Sequence, residues 1–174
     1  MRQIYLIRHP AVAVAPGICY GRSDVALREP ADALGAELRT QLPAEFTLLS
    51  SPLARCRLRA EALGQRRYDP RLRELDFGAW EMQAWESIAR PLIEAWAADP
   101  LDFRGHGGES VRQMATRAIA ALQEALAGEA RALVIVAHAG PLRALAGHLQ
   151  GMPAATWMQL ELPYGALRAL AIPA

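Results

Sequence analysis

Two histidines, each at the end of an apolar run, are the residues of this chain best placed to do chemistry. Arg8-His9 closes the run Ile4, Leu6, Ile7, and His138 closes the run that ends Val136-Ala137, followed by Ala139-Gly140. If both runs are strands of an open α/β sheet, both histidines leave carboxyl ends, where ligands bind at a topological switch point. They would then share one crevice. A neutral imidazole is a nucleophile or proton carrier, and the fork of the neighbouring arginine matches phosphate oxygens. The arrangement suits a phosphate.

What is missing narrows the chemistry further. All 19 basic residues are Arg, and Lys and Asn do not occur. That excludes a Walker A lysine, a Schiff base, a Cys-His-Asn triad and an N-glycosylation site. Neither Cys19 nor Cys56 begins a Cys-x5-Arg loop, and no Asp-x-Asp nucleophile occurs. Catalysis falls to His, Arg and carboxylates. No close His, Asp, Glu or Cys cluster has metal-ligand spacing, so neither a metal nor any other cofactor is expected.

The elements that must position these groups follow from the apolar pattern. Strands are expected at Gln3 to Ile7, Phe46 to Ser50 and Leu133 to Ala137, with a weaker one at Leu167 to Ile172; helical patterns lie between them. This alternation predicts a single-domain α/β fold, a three-layer α/β/α sandwich on a mostly parallel sheet. Ser51-Pro52 reads as N-cap and first residue of a helix running to Leu63 and stopped by Gly64, with Arg55 in its first turn. Gly140-Pro141 opens another after His138, running to about Gln150, whose N-terminal amides, Ala139 among them, face an anion at the strand end. Helices are also expected at Ala84 to Ala98 and Ser110 to Ala127. Between Glu74 and the second of these, residues 76–109 read as a small helical cap inserted in one domain spanning 1–174.

The chain is 174 residues long, 52% hydrophobic and 21% charged, with a formal net charge of +1. Such a balance suits one globular domain with a sizeable core and lacks the basic footprint of a nucleic-acid binder. No apolar stretch approaches a membrane span. The N-terminus runs straight into a strand pattern without the regions of a signal peptide, and two cysteines give no disulfide framework. The expected location is cytoplasmic and the expected partner a small phosphomonoester; a homodimer is left open.

Four segments resemble, in order, the motifs of the histidine phosphatase (phosphoglycerate mutase-like) superfamily: Arg8-His9; Ser51-Pro52-Leu53-Ala54-Arg55-Cys56; Leu72-Arg73-Glu74; and Val136-Ala137-His138-Ala139-Gly140. Three further segments look like alpha-ribazole phosphatases: Gly17 to Asp24, Asp76 to Met82, and Gly151 to Trp157. The resemblance implies a metal-independent phosphomonoesterase in which His9 takes the phosphoryl group, Arg8, Arg55, His138 and the Ala139 amide cradle it, and Glu74 exchanges the proton. The implied substrate is alpha-ribazole 5′-phosphate of cobalamin biosynthesis, with Trp80 and Trp85 covering its base.

The chain departs from the family pattern at three places. Pro10 stands where a Gly with a free N–H is usual, Ala15 falls near a usual phosphate-binding Asn, and Arg59 replaces a common Thr. Arg22 is a candidate compensating donor. Other readings stay open: a broad sugar-phosphate or phosphoglycerate phosphatase, and a non-catalytic phosphate-binding module. A phosphatase of phosphohistidine proteins is disfavoured by the Leu72-Arg73-Glu74 segment. Glu81 rivals Glu74 as the acid, the motif favouring Glu74. His106 reads as a solvated loop residue, His148 as a helix-face residue and Cys56 as packed.

Overall fold

A computed structural model describes residues 1–30 and 32–173, the side chains of 32–34 excepted. Its sheet contains β1 (Arg2–Arg8), β2 (Thr47–Ser50), β3 (Arg67–Tyr68), β4 (Ala132–Ala137) and β5 (Leu167–Ile172), in the order β3-β2-β4-β1-β5. Only the β1–β5 pair is antiparallel. The centre of the sheet is β4, Ala-Leu-Val-Ile-Val-Ala, buried along its whole length, as expected of a parallel strand covered on both faces.

Side-chain alternation along the strands divides the core in two. Ile4, Leu6, Leu133 and Ile135 face α4 (Val111–Leu126) and α5 (Ala139–Leu149), packing on Ala118, Leu122, Leu142 and Leu145. On the opposite face, Ile7, Val134 and Val136 meet Leu38 of α1 (Asp32–Thr40) and Cys56, Ala60 and Leu63 of α2 (Ala54–Leu63). This is the expected α/β/α sandwich. The weakly apolar β5 is the edge strand, with Ala169 and Ala171 exposed. Individual boundaries for α1 and the two-residue β3 were not expected from the sequence; α1 lies in the stretch read only as helical between strands.

Helix ends follow local chemistry with two corrections. Ser110 caps α4 in a capping box, its hydroxyl accepting from the Gln113 amide at 3.1 Å while the Gln113 side chain accepts from the Ser110 amide at 3.0 Å. The helix expected from Ser51-Pro52 begins instead at Ala54, whose amide donates to Asp24 Oδ1 at 2.8 Å. Ser51 is diverted: its hydroxyl accepts from the Leu53 amide at 3.3 Å and is bonded to His138. The helix expected over Ala84 to Ala98 is broken. A 3₁₀ turn covers Trp85–Ser87, Ile88 and Ala89 are extended, and α3 (Arg90–Ala98) starts afresh with Pro91, which lacks an amide hydrogen, in its first turn.

Segment 76–109 folds around its own aromatic cluster. Trp80 is 3% exposed, packed with Cys19 and Ile88 and flanked by Phe77, Trp85, Trp96 and Phe103. Trp85 stacks on Trp96 at 5.5 Å and 7°. His106 is buried among Phe77, Trp80 and Phe103, not solvated as expected; its Nδ1 accepts from the Gly108 amide at 3.0 Å, and burial lowers its pKa. No helix among the described residues is long and apolar enough to cross a membrane.

Candidate active site

Strand register brings the two histidines together. Arg8 pairs with Ala137 in neighbouring parallel strands, so the next residues, His9 and His138, emerge side by side with ring centroids 5.2 Å apart and planes at 61°. The His9 backbone is held from both sides: its amide donates to the Ala137 carbonyl and its carbonyl accepts from the Gly165 amide at 3.0 Å. Its Nδ1 lies 2.7 Å from the Pro10 carbonyl. A carbonyl only accepts, so Nδ1 carries the hydrogen and Nε2 keeps its lone pair. Burial, aided by Arg55 and Arg8 and opposed by the Pro10 bond, lowers the pKa to about 3. His9 is neutral near pH 7, as a nitrogen nucleophile must be.

His138 and Arg55 form one unit beneath it. Both are fully buried, and Arg55 Nε donates to His138 Nδ1 at 3.2 Å. With Nδ1 accepting, the remaining ring hydrogen sits on Nε2, which donates to Ser51 Oγ at 2.8 Å. Burial holds the His138 pKa well below its ordinary value, with the positive charge of Arg55 acting in the same direction. Both ring nitrogens are therefore engaged. In this arrangement His138 orients Arg55, where the sequence suggested a direct phosphate donor. Cys56 Sγ lies 3.4 Å from His138 Nε2; burial pushes its thiol pKa far up, so it packs and does not react.

The two arginines carry uncompensated charge. Arg55 also donates from its terminal nitrogens to the Ser23 carbonyl at 2.7 Å and the Gly21 carbonyl at 2.6 Å. Arg8 donates to the Leu162 carbonyl at 2.7 Å, and its buried Nε has no partner. Neither guanidinium has a carboxylate partner among the described residues. Buried charges are ordinarily paired, so two unpaired guanidinium groups beside a neutral histidine define an anion site. The first turn of α5 adds less than expected: Gly140 donates to Glu74 Oε2 at 3.2 Å, and Pro141 has no N–H. The Ala139 amide is the one left to face an anion.

Glu74 lines an apolar cleft that reaches the first turn of α5 at Ala139 and Gly140, directly after His138, although His9, Arg8, Arg55 and His138 are not themselves in its lining. Its Oε1 accepts the Leu75 amide at 2.9 Å, and a Cβ on Gly140 would stand 2.2 Å from that oxygen. Only glycine lets the carboxyl lie against α5. The loop is pinned by Arg117, which donates to the Arg71, Arg73 and Glu74 carbonyls and pairs with Glu109 at 2.7 Å. The cleft, about 500 Å³, runs from Glu74 and Gly140 between Leu75, Phe77, Ile93, Trp96 and Met158, and among the described residues Arg143 is the only cation that lines it.

Several expected site residues fall elsewhere. Glu81 is consumed in structure: its carboxylate accepts from the amides of Gly21, Arg22, Ser23 and Phe77 and from the Ser23 hydroxyl. Although burial pushes its pKa up, those bonds outweigh it and hold the group below the usual carboxylate range. Arg22 faces Asp76 at 3.5 Å. Trp80, buried in its own cluster, and Trp85, half-buried and stacked on Trp96, do not line the cleft; Trp96 does. Residues whose place at the site the sequence did not announce are Ser51, Tyr20, Tyr164, Arg143 and, at the cleft, Phe77, whereas Trp96 is one of the three cap tryptophans that could stack on a base. Arg143, one turn beyond Ala139, carried a helical-spacing signal. Tyr20 and Tyr164 carried none. Among the described residues no group of three or more His, Cys, Asp or Glu is arranged to hold a metal ion.

Comparison with known proteins gives the family and the fold. A family model described as the histidine phosphatase superfamily (branch 1) matches residues 4–173. Glucosyl-3-phosphoglycerate phosphatase of Mycolicibacterium vanbaalenii is 30% identical over 177 residues, covering 90% of this chain and 78% of its own length. Among solved structures, a mycobacterial glucosyl-3-phosphoglycerate phosphatase in complex with VO3 superposes with a TM-score of 0.85 at 29% identity, over 98% of this chain and 93% of that one. The alpha-ribazole phosphatase from Shigella flexneri also gives a TM-score of 0.85, at 26% identity, over 98% of this chain and 91% of that one.

Proposed function

This chain belongs to the histidine phosphatase superfamily, and from that premise we propose that it is a metal-independent phosphomonoesterase that works through a phosphohistidine on His9 and favours a flat, apolar alcohol. The observation that carries the mechanism is the neutral, tautomer-fixed His9 beside two guanidinium groups that lack carboxylate partners.

Phosphoryl transfer needs an in-line nucleophile, stabilisation of the equatorial oxygens and a proton for the leaving oxygen. His9 Nε2 attacks phosphorus, forming the N–P bond as the ester O–P bond breaks. Arg8, Arg55 and the Ala139 amide hold the oxygens, and Glu74 gives its proton to the departing alkoxide at the cleft mouth. Water then attacks the phosphohistidine from the same side, Glu74 takes its proton, and the electron pair returns to Nε2.

The substrate reading rests on the cleft. Its walls of Leu75, Phe77, Ile93, Trp96 and Met158 offer an aromatic or aliphatic leaving group apolar contact and offer a sugar few hydrogen-bond partners. The aromatic riboside of alpha-ribazole 5′-phosphate suits such walls. A second reading is favoured by Arg143, a partly buried cation at the same cleft whose Nε is engaged by the Leu160 carbonyl. Its terminal nitrogens suit the carboxylate of a phosphoglycerate-type substrate.

Measuring kcat/KM for alpha-ribazole 5′-phosphate, 3-phosphoglycerate and ribose 5-phosphate at one pH, in excess chelator, separates these. The aromatic riboside is expected to lead, with activity retained in chelator. A lead for 3-phosphoglycerate turns the assignment to Arg143. Strict dependence on added metal defeats the mechanism, and no turnover of any ester leaves a phosphate-binding module.

A further inference from the structure

The charged site is covered. His9 is 2% exposed, and Arg55 and His138 are not exposed at all, yet a phosphorus atom must come within about 3 to 3.5 Å of Nε2 before reaction. Side chains above the site must therefore yield. Two tyrosines stand there. The ring of Tyr164, in the turn before β5, lies 4.0 Å from the Arg8 guanidinium carbon and 5.6 Å from the His9 ring. The ring of Tyr20, in the loop after β1, lies 5.3 Å from the Arg55 guanidinium carbon. Their hydroxyls are hydrogen-bonded to each other, so the phenol pair spans the two cations.

The backbones beside these rings are anchored on the site, whereas the hydroxyls are tied only to one another. Gly165, next to Tyr164, has φ +72° and donates to the His9 carbonyl. Gly21, next to Tyr20, accepts from Arg55 and has no room for a Cβ, which would lie 1.9 Å from the Leu75 carbonyl oxygen. Among the described residues neither hydroxyl has a second hydrogen-bond partner.

We propose that Tyr20 and Tyr164 are phosphate-binding residues, which exchange the hydrogen bond they share for hydrogen bonds to the phosphoryl oxygens held by Arg8 and Arg55. The pair covers His9 in the free protein and completes the cradle in the complex. Donor counting supports it. Between the phenols one hydroxyl hydrogen is engaged; parted, each can donate to an anionic oxygen. Those donors are needed, since Pro10 has no amide hydrogen and the Gly140 amide is held by Glu74. Burial also raises the Tyr20 pKa, which keeps this phenol a donor.

The proposal rests on the phosphatase reading and is tested with inorganic phosphate as a competitive inhibitor of p-nitrophenyl phosphate hydrolysis. Tyr20→Phe and Tyr164→Phe keep each ring over its arginine and remove only the hydroxyl. Each is expected to raise the phosphate Ki by about tenfold, the scale of one hydrogen bond to a charged group, and the double variant by more, with Tm held. An unchanged Ki in the folded, active single and double variants overturns the proposal while the phosphatase reading stands. A wild-type protein that neither hydrolyses the ester nor binds phosphate overturns both.

Discussion

The phosphate end and the leaving-group end of this site are built by opposite means. At the phosphate end, His9, Ser51 and His138 follow the carboxyl ends of β1, β2 and β4, and Arg55 is tied at every nitrogen. At the leaving-group end, α3 buries no residue, and Trp80, Trp85, Trp96 and Phe103 are placed by packing on one another. Strand register fixes the first to within hydrogen-bond distances; mutual packing fixes the second more loosely. The same phosphate chemistry can thus be kept while the cleft changes its alcohol.

The largest effect should come from breaking the phosphate end. His9→Ala is expected to lose at least about 10³-fold in turnover on every ester, since no other group can take the phosphoryl, with the Tm within a few degrees of wild type. Comparable turnover in a folded variant would remove His9 from the mechanism.

Glu74 stands at the border, so its effect should depend on the alcohol. Glu74→Gln is expected to cost about 10²- to 10⁴-fold on an alkyl phosphate and much less on p-nitrophenyl phosphate, whose leaving group needs no proton. Gly140→Ala, which drives a methyl group against the same carboxyl, should show the same dependence more weakly. Equal losses on both esters would point to a structural role. Glu81→Gln is expected to cost about 1 to 2 kcal/mol of stability through its weakened amide bonds, seen as a lower denaturation midpoint, with no leaving-group dependence.

At the cleft, Trp96→Ala should lower kcat/KM for the aromatic riboside phosphate about tenfold to a hundredfold, the scale of one stacking contact, and leave ribose 5-phosphate nearly unaffected. Trp80→Ala makes the opposite kind of variant: a cavity in the cluster costing roughly 3 to 5 kcal/mol of stability, read by denaturation. If Trp80 instead changed specificity at unchanged stability, the two ends would not be separable as described.

A smaller, graded effect follows from the histidines. His9, His138 and His106 have folded pKa values below 6.5, that of His9 at about 3. Between those limits the unfolded chain binds protons that the folded chain refuses. Stability is therefore fully present above about pH 6.5 and falls as pH drops toward 3. Urea midpoints across that window should decline in wild type and less steeply in His106→Gln, provided it folds; parallel declines would show that His106 does not take part.

The phosphate end was legible in the sequence because one-dimensional signals fix it. Apolar runs ending in His9 and His138, and Arg55 at a helix start, translate directly into strand ends and a first turn. The same apolar runs place β1, β2, β4 and β5 to within a residue, while the two-residue β3 has too short a pattern to read. The cleft was not legible, since Trp80, Trp85 and Trp96 carry the same residue type and only tertiary packing decides which faces open space. Ser51 looked like a cap because its hydroxyl suits one; the nearby Asp24 and His138 redirected it. Tyr164 comes from a turn more than 150 residues beyond His9 and had no local pattern to announce it.

The proposed mechanism requires the phosphoryl group to pass through His9. Rapid quench of wild-type protein with radiolabelled substrate, followed by mapping of acid-labile, base-stable phosphate, tests it most directly. Label is expected on His9 at times shorter than one turnover, lost in His9→Ala and accumulating if dephosphorylation is slower than phosphorylation. Turnover with label on another residue, or a wild-type enzyme whose product phosphate keeps inverted stereochemistry at phosphorus, the mark of direct attack by water, would contradict it.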